Sequence, residues 1–265
     1  MALELSAIGA VVCDMDGVLW LVDQPLPGLK AFFDLLALRR LPYVLATNNS
    51  SKTAADYVAK LAKMGVEGVT EQHVITSGAA TLGVLAERYP PGTRINVVGG
   101  SGLRMMLEGA GYALVNREAE VVVVGLDPGL TYDKLRDAAL CIRGGAAFIA
   151  TNDDASIPTP DGFAPGAGSI VAALRTATDR EPLVIGKPHL PMFAQALKRV
   201  GTLPANTLMI GDRLETDIVG AVNAGMRTAL LLTGVTDGDR LARGGVTPDG
   251  IYQDLAQLID AWAVS

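Results

Sequence analysis

The sequence predicts an α/β protein: a doubly wound, Rossmann-like parallel sheet with a second α/β unit inserted in its middle. Three observations predict it. Short apolar runs stop abruptly at Asp, Thr-Asn or Gly, as strands buried on both faces do. Each is followed by apolar residues at helical spacing, and strand–helix alternation is the grammar of a parallel sheet. The strand ends that carry chemistry fall in the first and last parts of the chain, while the middle repeats the grammar without them.

The elements follow in order. Ile8-Gly-Ala-Val-Val-Cys13 reads as the first strand and ends at Asp14. Leu29–Leu38 reads as a helix, and Pro42–Ala46 as a strand running into Thr47-Asn48-Asn49-Ser50-Ser51. Thr53–Met64 is a helix closed by Gly65. In the middle, Ile95–Val98, Val121–Val124 and Ala147–Ala150 read as strands, with helices near Gly102–Gly109 and Tyr132–Arg143. The last part returns to the first pattern. Pro182–Ile185 is a strand before Gly186-Lys187-Pro188, and Met192–Val200 is a helix. Thr207–Ile210 is a strand before Gly211-Asp212, and Asp217–Ala224 is a helix ending at Gly225. Arg227–Leu232 is a strand, and Ile251–Trp262 holds the last helix. The expected division is a discontinuous core, 1–77 and 183–265, and an inserted unit, 78–182.

Composition narrows the function. The chain has 265 residues, 49% of them apolar, which is enough for a core domain and a smaller one. A net charge of -6 gives no broad basic surface, so nucleic acid is not an expected partner. Two cysteines and two histidines supply neither a disulfide framework nor a zinc site. Any metal is expected to be a hard cation on Asp oxygens. Ile8–Cys13 is far shorter than the ~20 residues that span a bilayer, and the first basic residue is Lys30. The expectation is a cytoplasmic protein with no membrane partner.

Four motifs carry chemistry. Asp14-Met15-Asp16-Gly17-Val18 follows the first strand directly. A carboxylate beside Mg²⁺ can attack phosphorus, and a second can protonate the leaving alcohol and then deprotonate water. Thr47-Asn48-Asn49 offers a hydroxyl and backbone N–H groups to phosphate oxygens, although on its own it also reads as a loop and helix cap. Lys187, between Gly186 and Pro188, can neutralise a phosphoryl group or serve as a solvated surface lysine. Asp212 suits a Mg²⁺ ligand, and Asp217, five residues on, is a ligand, a supporting group or an acidic helix start. A parallel sheet would bring these strand ends to one edge, assembling the parts of phosphoryl transfer.

In this order the motifs resemble those of the haloacid dehalogenase (HAD) superfamily. Thr47-Asn-Asn-Ser50, Gly186-Lys187-Pro188 and Gly211-Asp212-Arg-Leu-Glu-Thr-Asp217 resemble its NagD-like, p-nitrophenyl phosphatase branch. Val124-Gly-Leu-Asp127, Phe148-Ile-Ala-Thr-Asn152 and Pro165-Gly-Ala-Gly168 resemble that branch's large α/β cap. The resemblance implies a Mg²⁺-dependent phosphatase acting on a small phosphate ester through an aspartyl-phosphate. It implies Asp14 as nucleophile and Asp16 as acid/base, with Thr47 and Lys187 completing the catalytic set. Gly17, Thr47, Asn48, Asn49, Lys187 and Asn152 would contact substrate. Asp14, Asp16 through its carbonyl, Asp212 and Asp217 would form the Mg²⁺ site. The substrate is left open among sugar phosphates, nucleotides, phosphoglycolate and pyridoxal phosphate, and a homodimer is also left open.

Other readings stand beside this one. A phosphomutase uses similar motifs, and a non-catalytic phosphometabolite-binding regulator could share the fold. Gly100-Ser-Gly102 lacks the third glycine of a dinucleotide loop. Thr151–Ser169, rich in Asp, Pro and Gly, reads from its composition as a long solvated loop, and the family resemblance implies a loop of the cap that selects substrate.

Overall fold

The computed structural model describes residues 3–159, 161–236 and 245–264. In chain order it forms β1 (Ala10–Cys13), β2 (Trp20–Leu21), β3 (Gln24–Pro25), α1 (Leu29–Leu38), β4 (Tyr43–Thr47), α2 (Ala54–Lys63) and β5 (Val74–Thr76). There follow α3 (Ser77–Arg88), β6 (Arg94–Val98), α4 (Ser101–Gly109), β7 (Ala113–Leu114), β8 (Val121–Val124), α5 (Tyr132–Arg143) and β9 (Ala147–Ala150). Next are β10 (Ser156–Thr159), β11 (Gly162–Pro165), α6 (Ala167–Thr178), β12 (Leu183–Val184) and α7 (Leu190–Val200). The chain closes with β13 (Thr207–Gly211), α8 (Val219–Asn223), β14 (Arg227–Leu231), β15 (Gly250–Tyr252) and α9 (Leu255–Ala263). The described residues divide into two compact units. One lies within Met1–Thr47, Ala54–Ile75 and Lys187–Ser265, and the other is Asn48–Thr53 with Thr76–Gly186.

The first unit is built on a six-stranded sheet in the order β15-β14-β13-β1-β4-β5. β1 runs parallel to both neighbours, and β13, β14 and β15 continue parallel. All four residues of β1 are buried, as a central strand of a two-sided sheet requires. Alternate side chains then divide between the faces. Val11, Cys13, Leu208, Ile210 and Leu231 join Phe32 and Leu36 of α1 and Leu255, Leu258 and Trp262 of α9 in the main core. Leu230 instead packs with Leu214 and Ile218, and α7 lies against β1 and β4. The chain leaves β1 towards β4 and β5, and later fills the other side with β13 to β15. The order therefore reverses between β1 and β13, the crevice where open α/β sheets bind ligands.

The second unit has a five-stranded parallel sheet in the order β12-β9-β8-β6-β7. β8 is four valines, all buried, which only a sheet covered on both faces accommodates. Val122, Val124, Phe148 and Ala150 pack against Ala138 and Ile142 of α5 and Ile170 and Leu174 of α6. β10 and β11 form an antiparallel pair of their own.

Two expectations are corrected. The strand before Lys187 does not belong to the six-stranded sheet: Leu183 and Val184 pair with Ile149 and Ala150 of β9. The unit boundaries accordingly fall at 75/76 and 186/187 rather than 77/78 and 182/183, and residues 48–53 belong with the second unit. Among the described residues no helix is long and apolar enough to cross a membrane.

Candidate active site

Asp14 is the first residue past β1. Its N–H donates to the carbonyl of Ile210 at 2.8 Å, carrying the ladder to β13 one step beyond the strand. Asp212 is the first residue past β13, so both carboxylates leave the sheet at the point of order reversal. Asp217 comes back to the same place from a single π-helical turn, Leu214–Ile218. Its Oδ2 accepts from the backbone N–H of Arg213 at 3.1 Å. A Cβ on Gly211 would lie 2.3 Å from that of Asp217, so only glycine lets the turn close onto the strand end.

Lys187 joins these groups. It is 3% exposed, and its Nζ reaches Asp14 Oδ1 at 2.6 Å, Asp217 Oδ1 at 2.7 Å and the carbonyl of Ala46 at 3.1 Å. Burial alone would drive the ammonium to lose its proton. The charges of Asp14 and Asp217 more than offset burial and raise its pKa above the ordinary lysine value. The lysine is therefore a fixed cation.

Asp212 is left short of positive charge. Its Oδ2 accepts from the N–H of Val235 at 2.7 Å, but among the described residues its buried Oδ1 has no hydrogen-bond partner. Burial, with the charges of Asp14 and Asp217 adding to it, pushes its carboxyl up to about 7. Burial also raises the carboxyl of Asp217, against the opposing pull of Lys187. Asp14, Asp212 and Asp217 each offer an oxygen within 4.8 Å of the others, and all three residues are buried. Three carboxylates facing one ammonium, with one buried oxygen unsatisfied, suit a hard divalent cation with oxygen ligands.

The turn after β14 finishes the site. Thr236 N–H donates to the Asp212 carbonyl at 3.1 Å, and Thr236 Oγ1 accepts from Leu214 N–H at 3.0 Å. Thr233 Oγ1 donates to the carbonyl of Gly17 at 2.5 Å. Two glycines clear the space around Asp212. A Cβ on Gly17, at φ +91°, would fall 2.6 Å from its Cγ, and one on Gly234 would fall 1.9 Å from its Oδ2.

The remaining residues singled out from the sequence sit as follows. Asp16 is exposed, lies outside the three-carboxylate cluster, and its Oδ1 accepts from the indole N–H of Trp20 at 2.7 Å. Thr47 is buried at the end of β4, one residue past the carbonyl that Lys187 holds. Asn48, Asn49 and Asn152 fall within the second unit. There the Asn48 carbonyl accepts from Ser77 Oγ at 2.6 Å and from Asn152 Nδ2 at 2.9 Å. Asn48 Nδ2 donates to Asp154 Oδ1 at 3.3 Å, and Asn49 Oδ1 accepts from the N–H and Oγ of Ser51. The Asn152 side chain is thus engaged in fixing Asn48 and in a 3.3 Å contact to Thr151 Oγ1.

Sequence reasoning missed the 233–236 turn and Trp20. The turn had a readable signal: Thr-Gly-Val-Thr follows an apolar strand end, as the four recognised motifs do. Trp20 had none, because a lone tryptophan after a turn reads as core.

The family profile described as haloacid dehalogenase-like hydrolase matches residues 11–113, and a HAD-hydrolase-like profile matches residues 184–258. An acid sugar phosphatase of Staphylococcus aureus is 37% identical over 94% of this chain and 96% of its own. The solved 4-nitrophenylphosphatase of Thermotoga maritima superposes with a TM-score of 0.92 at 37% identity, covering 97% of this chain and 98% of that one. A glycerol phosphate phosphatase of Mycobacterium tuberculosis, solved in complex with magnesium, gives 0.87 at 33% identity, covering 97% and 78%.

Proposed function

Because the chain belongs to the haloacid dehalogenase-like hydrolases, in their NagD-like phosphatase branch, we propose that it hydrolyses small phosphate monoesters by Mg²⁺-dependent transfer of the phosphoryl group to Asp14. One observation carries the reading. Asp14 is held at the order reversal of the sheet by the Lys187 ammonium, which Asp217 shares, beside Asp212, whose buried Oδ1 has no hydrogen-bond partner among the described residues.

Each residue then has a task. Asp14 supplies the carboxylate oxygen that attacks phosphorus, and its bond to Lys187 fixes its rotamer before substrate arrives. Asp16, exposed where Asp14 is buried, gives its proton to the ester oxygen as the O–P bond breaks. It then takes a proton from the water that attacks the aspartyl-phosphate, and Asp14 is released as carboxylate with inorganic phosphate. Thr47 Oγ1 donates to a phosphoryl oxygen, and Lys187 stays charged beside it through both steps. Asp14, Asp212 and the Asp16 carbonyl would hold Mg²⁺, with Asp217 as ligand or support. The bound cation supplies positive charge to the phosphoryl oxygens and to the acidic cluster.

Similarity to an acid sugar phosphatase and a glycerol phosphate phosphatase supports a phosphorylated sugar or polyol as substrate. Phosphorylated sugars and polyols are therefore the first esters to test. The experiment is phosphate release from a panel of esters, with Mg²⁺ and with chelator, for wild type and Asp14→Asn. Metal-dependent turnover lost in the variant is expected. Turnover that survives in chelator, or in Asp14→Asn, rejects the proposal.

A further inference from the structure

Asp16 must present a proton to the leaving oxygen, yet an exposed carboxyl group has two equivalent oxygens and free rotation. The structure removes that equivalence. Trp20 is fully buried, and a buried indole N–H needs an acceptor. It finds one in Asp16 Oδ1 at 2.7 Å, four residues back along a tight turn. The turn is itself fixed. Gly17 N–H donates to the Trp20 carbonyl at 2.8 Å, and Leu19 N–H donates to that of Met15 at 2.8 Å.

The indole is fixed in turn by α2. Tyr57 stacks on it with centroids 6.3 Å apart and planes 16° apart. Lys60, one helical turn further on the same face, places Nζ 4.5 Å from the ring centroid. Lys60 is held there by Asp23 at 3.3 Å and by the carbonyl of Val22. A cation over an indole face withdraws electron density from the ring and makes its N–H a better donor.

We propose that Trp20 is a positioning residue for the acid/base step: its N–H occupies Asp16 Oδ1, so that the proton travels on Oδ2 alone. The indole nitrogen can only donate, and a carboxylic acid accepts better at its carbonyl oxygen than at its O–H oxygen, so the bond from Trp20 keeps Oδ1 as the acceptor and leaves the proton to Oδ2. The proton given to the leaving oxygen therefore departs from Oδ2, and the proton taken from water returns there. Atoms balance over the cycle: ester and water become alcohol and phosphate, and Asp16 ends as it began. Lys60 acts one step further out by polarising the indole.

The inference rests on the proposed role of Asp16, and its test separates the two. An ester with a good leaving group, 4-nitrophenyl phosphate, needs little protonation. An alkyl ester, glycerol phosphate, needs it fully. Trp20→Phe keeps an aromatic ring against Tyr57 and deletes the N–H. Its kcat/KM, which reports transfer to Asp14, is expected to stay within about twofold for the nitrophenyl ester and to fall about tenfold for the alkyl ester. A loss of packing alone would lower both equally. Lys60→Met is expected to show the same selectivity at smaller size, and it carries the test if Trp20→Phe does not fold. Asp16→Asn in the same assay should show the largest selectivity. Equal effects of Trp20→Phe and Lys60→Met on both esters, or none, overturn the positioning role while leaving Asp14 chemistry intact. An Asp16→Asn variant without selectivity overturns both the acid assignment and this inference.

Discussion

Replacing Asp212 by Asn should make the metal-free protein more stable while removing a ligand of the proposed metal site. In the fold the Asp212 carboxyl is raised from 3.8 to about 7, chiefly by burial and then by the charges of Asp14 and Asp217. Three units at 1.36 kcal/mol each set a ceiling of about 4 kcal/mol on the cost of its charge above pH 7. Asparagine abolishes that cost and keeps an oxygen for the Val235 N–H, but it buries an NH₂ worth about 1–2 kcal/mol of lost hydration. The net gain is about 2 kcal/mol, or roughly 4–8 °C in Tm for a chain of this size. The sign follows from proton binding. Between 3.8 and about 7 the folded wild type holds a proton that the unfolded chain releases. Its stability therefore falls as pH rises through that window, and the advantage of the variant grows. Thermal melts in chelator at pH 5.5 and pH 8 read this directly. A variant less stable than wild type at pH 8, or an advantage that shrinks as pH rises, refutes the reasoning. With saturating Mg²⁺ the order should reverse, because only wild type gains binding energy.

Two further variants test the same cluster from other sides. Lys187→Met leaves Asp14 and Asp217 buried without their shared cation, a loss of about 3–5 kcal/mol measurable by chemical denaturation, and Mg²⁺ should recover more of it than it adds to wild type. Gly234→Ala drives a methyl group to 1.9 Å from Asp212 Oδ2. The carboxylate must then swing away, and titration calorimetry should show Mg²⁺ affinity lower by about 10–100-fold with the fold retained.

Legibility in the sequence followed local physics. Asp14, Lys187, Asp212 and Asp217 were readable because each stands at an abrupt end of an apolar run or within a turn after one, and the structure brings those four together. Tyr132–Arg143 was readable as a helix from its periodicity and has those bounds in the structure. Partnership was not readable. Pro182–Ile185 reads as a strand before Lys187, but so short a run carries no record of its neighbour, and its Leu183–Val184 pairs with β9. The short pairs β2–β3 and β10–β11 are too brief for a period to show, so Thr151–Ser169 read as loop alone. The helix expected over Asp217–Ala224 begins earlier, as a π turn at Leu214, because closing Asp217 onto Gly211 demands an extra residue in the turn. The Trp20–Asp16 bond depends on a buried indole four residues from its acceptor, and hydropathy alone reports the burial without the partner.

The proposed hydrolysis passes the phosphoryl group through Asp14. The direct measurement is rapid quenching during turnover of 4-nitrophenyl phosphate, borohydride reduction of any acyl phosphate, and peptide mapping. Homoserine at position 14 is expected in the Mg²⁺ sample, and unaltered aspartate in chelator. Steady phosphate release with Asp14 unreduced, or with the reduced residue at another carboxylate, would contradict it.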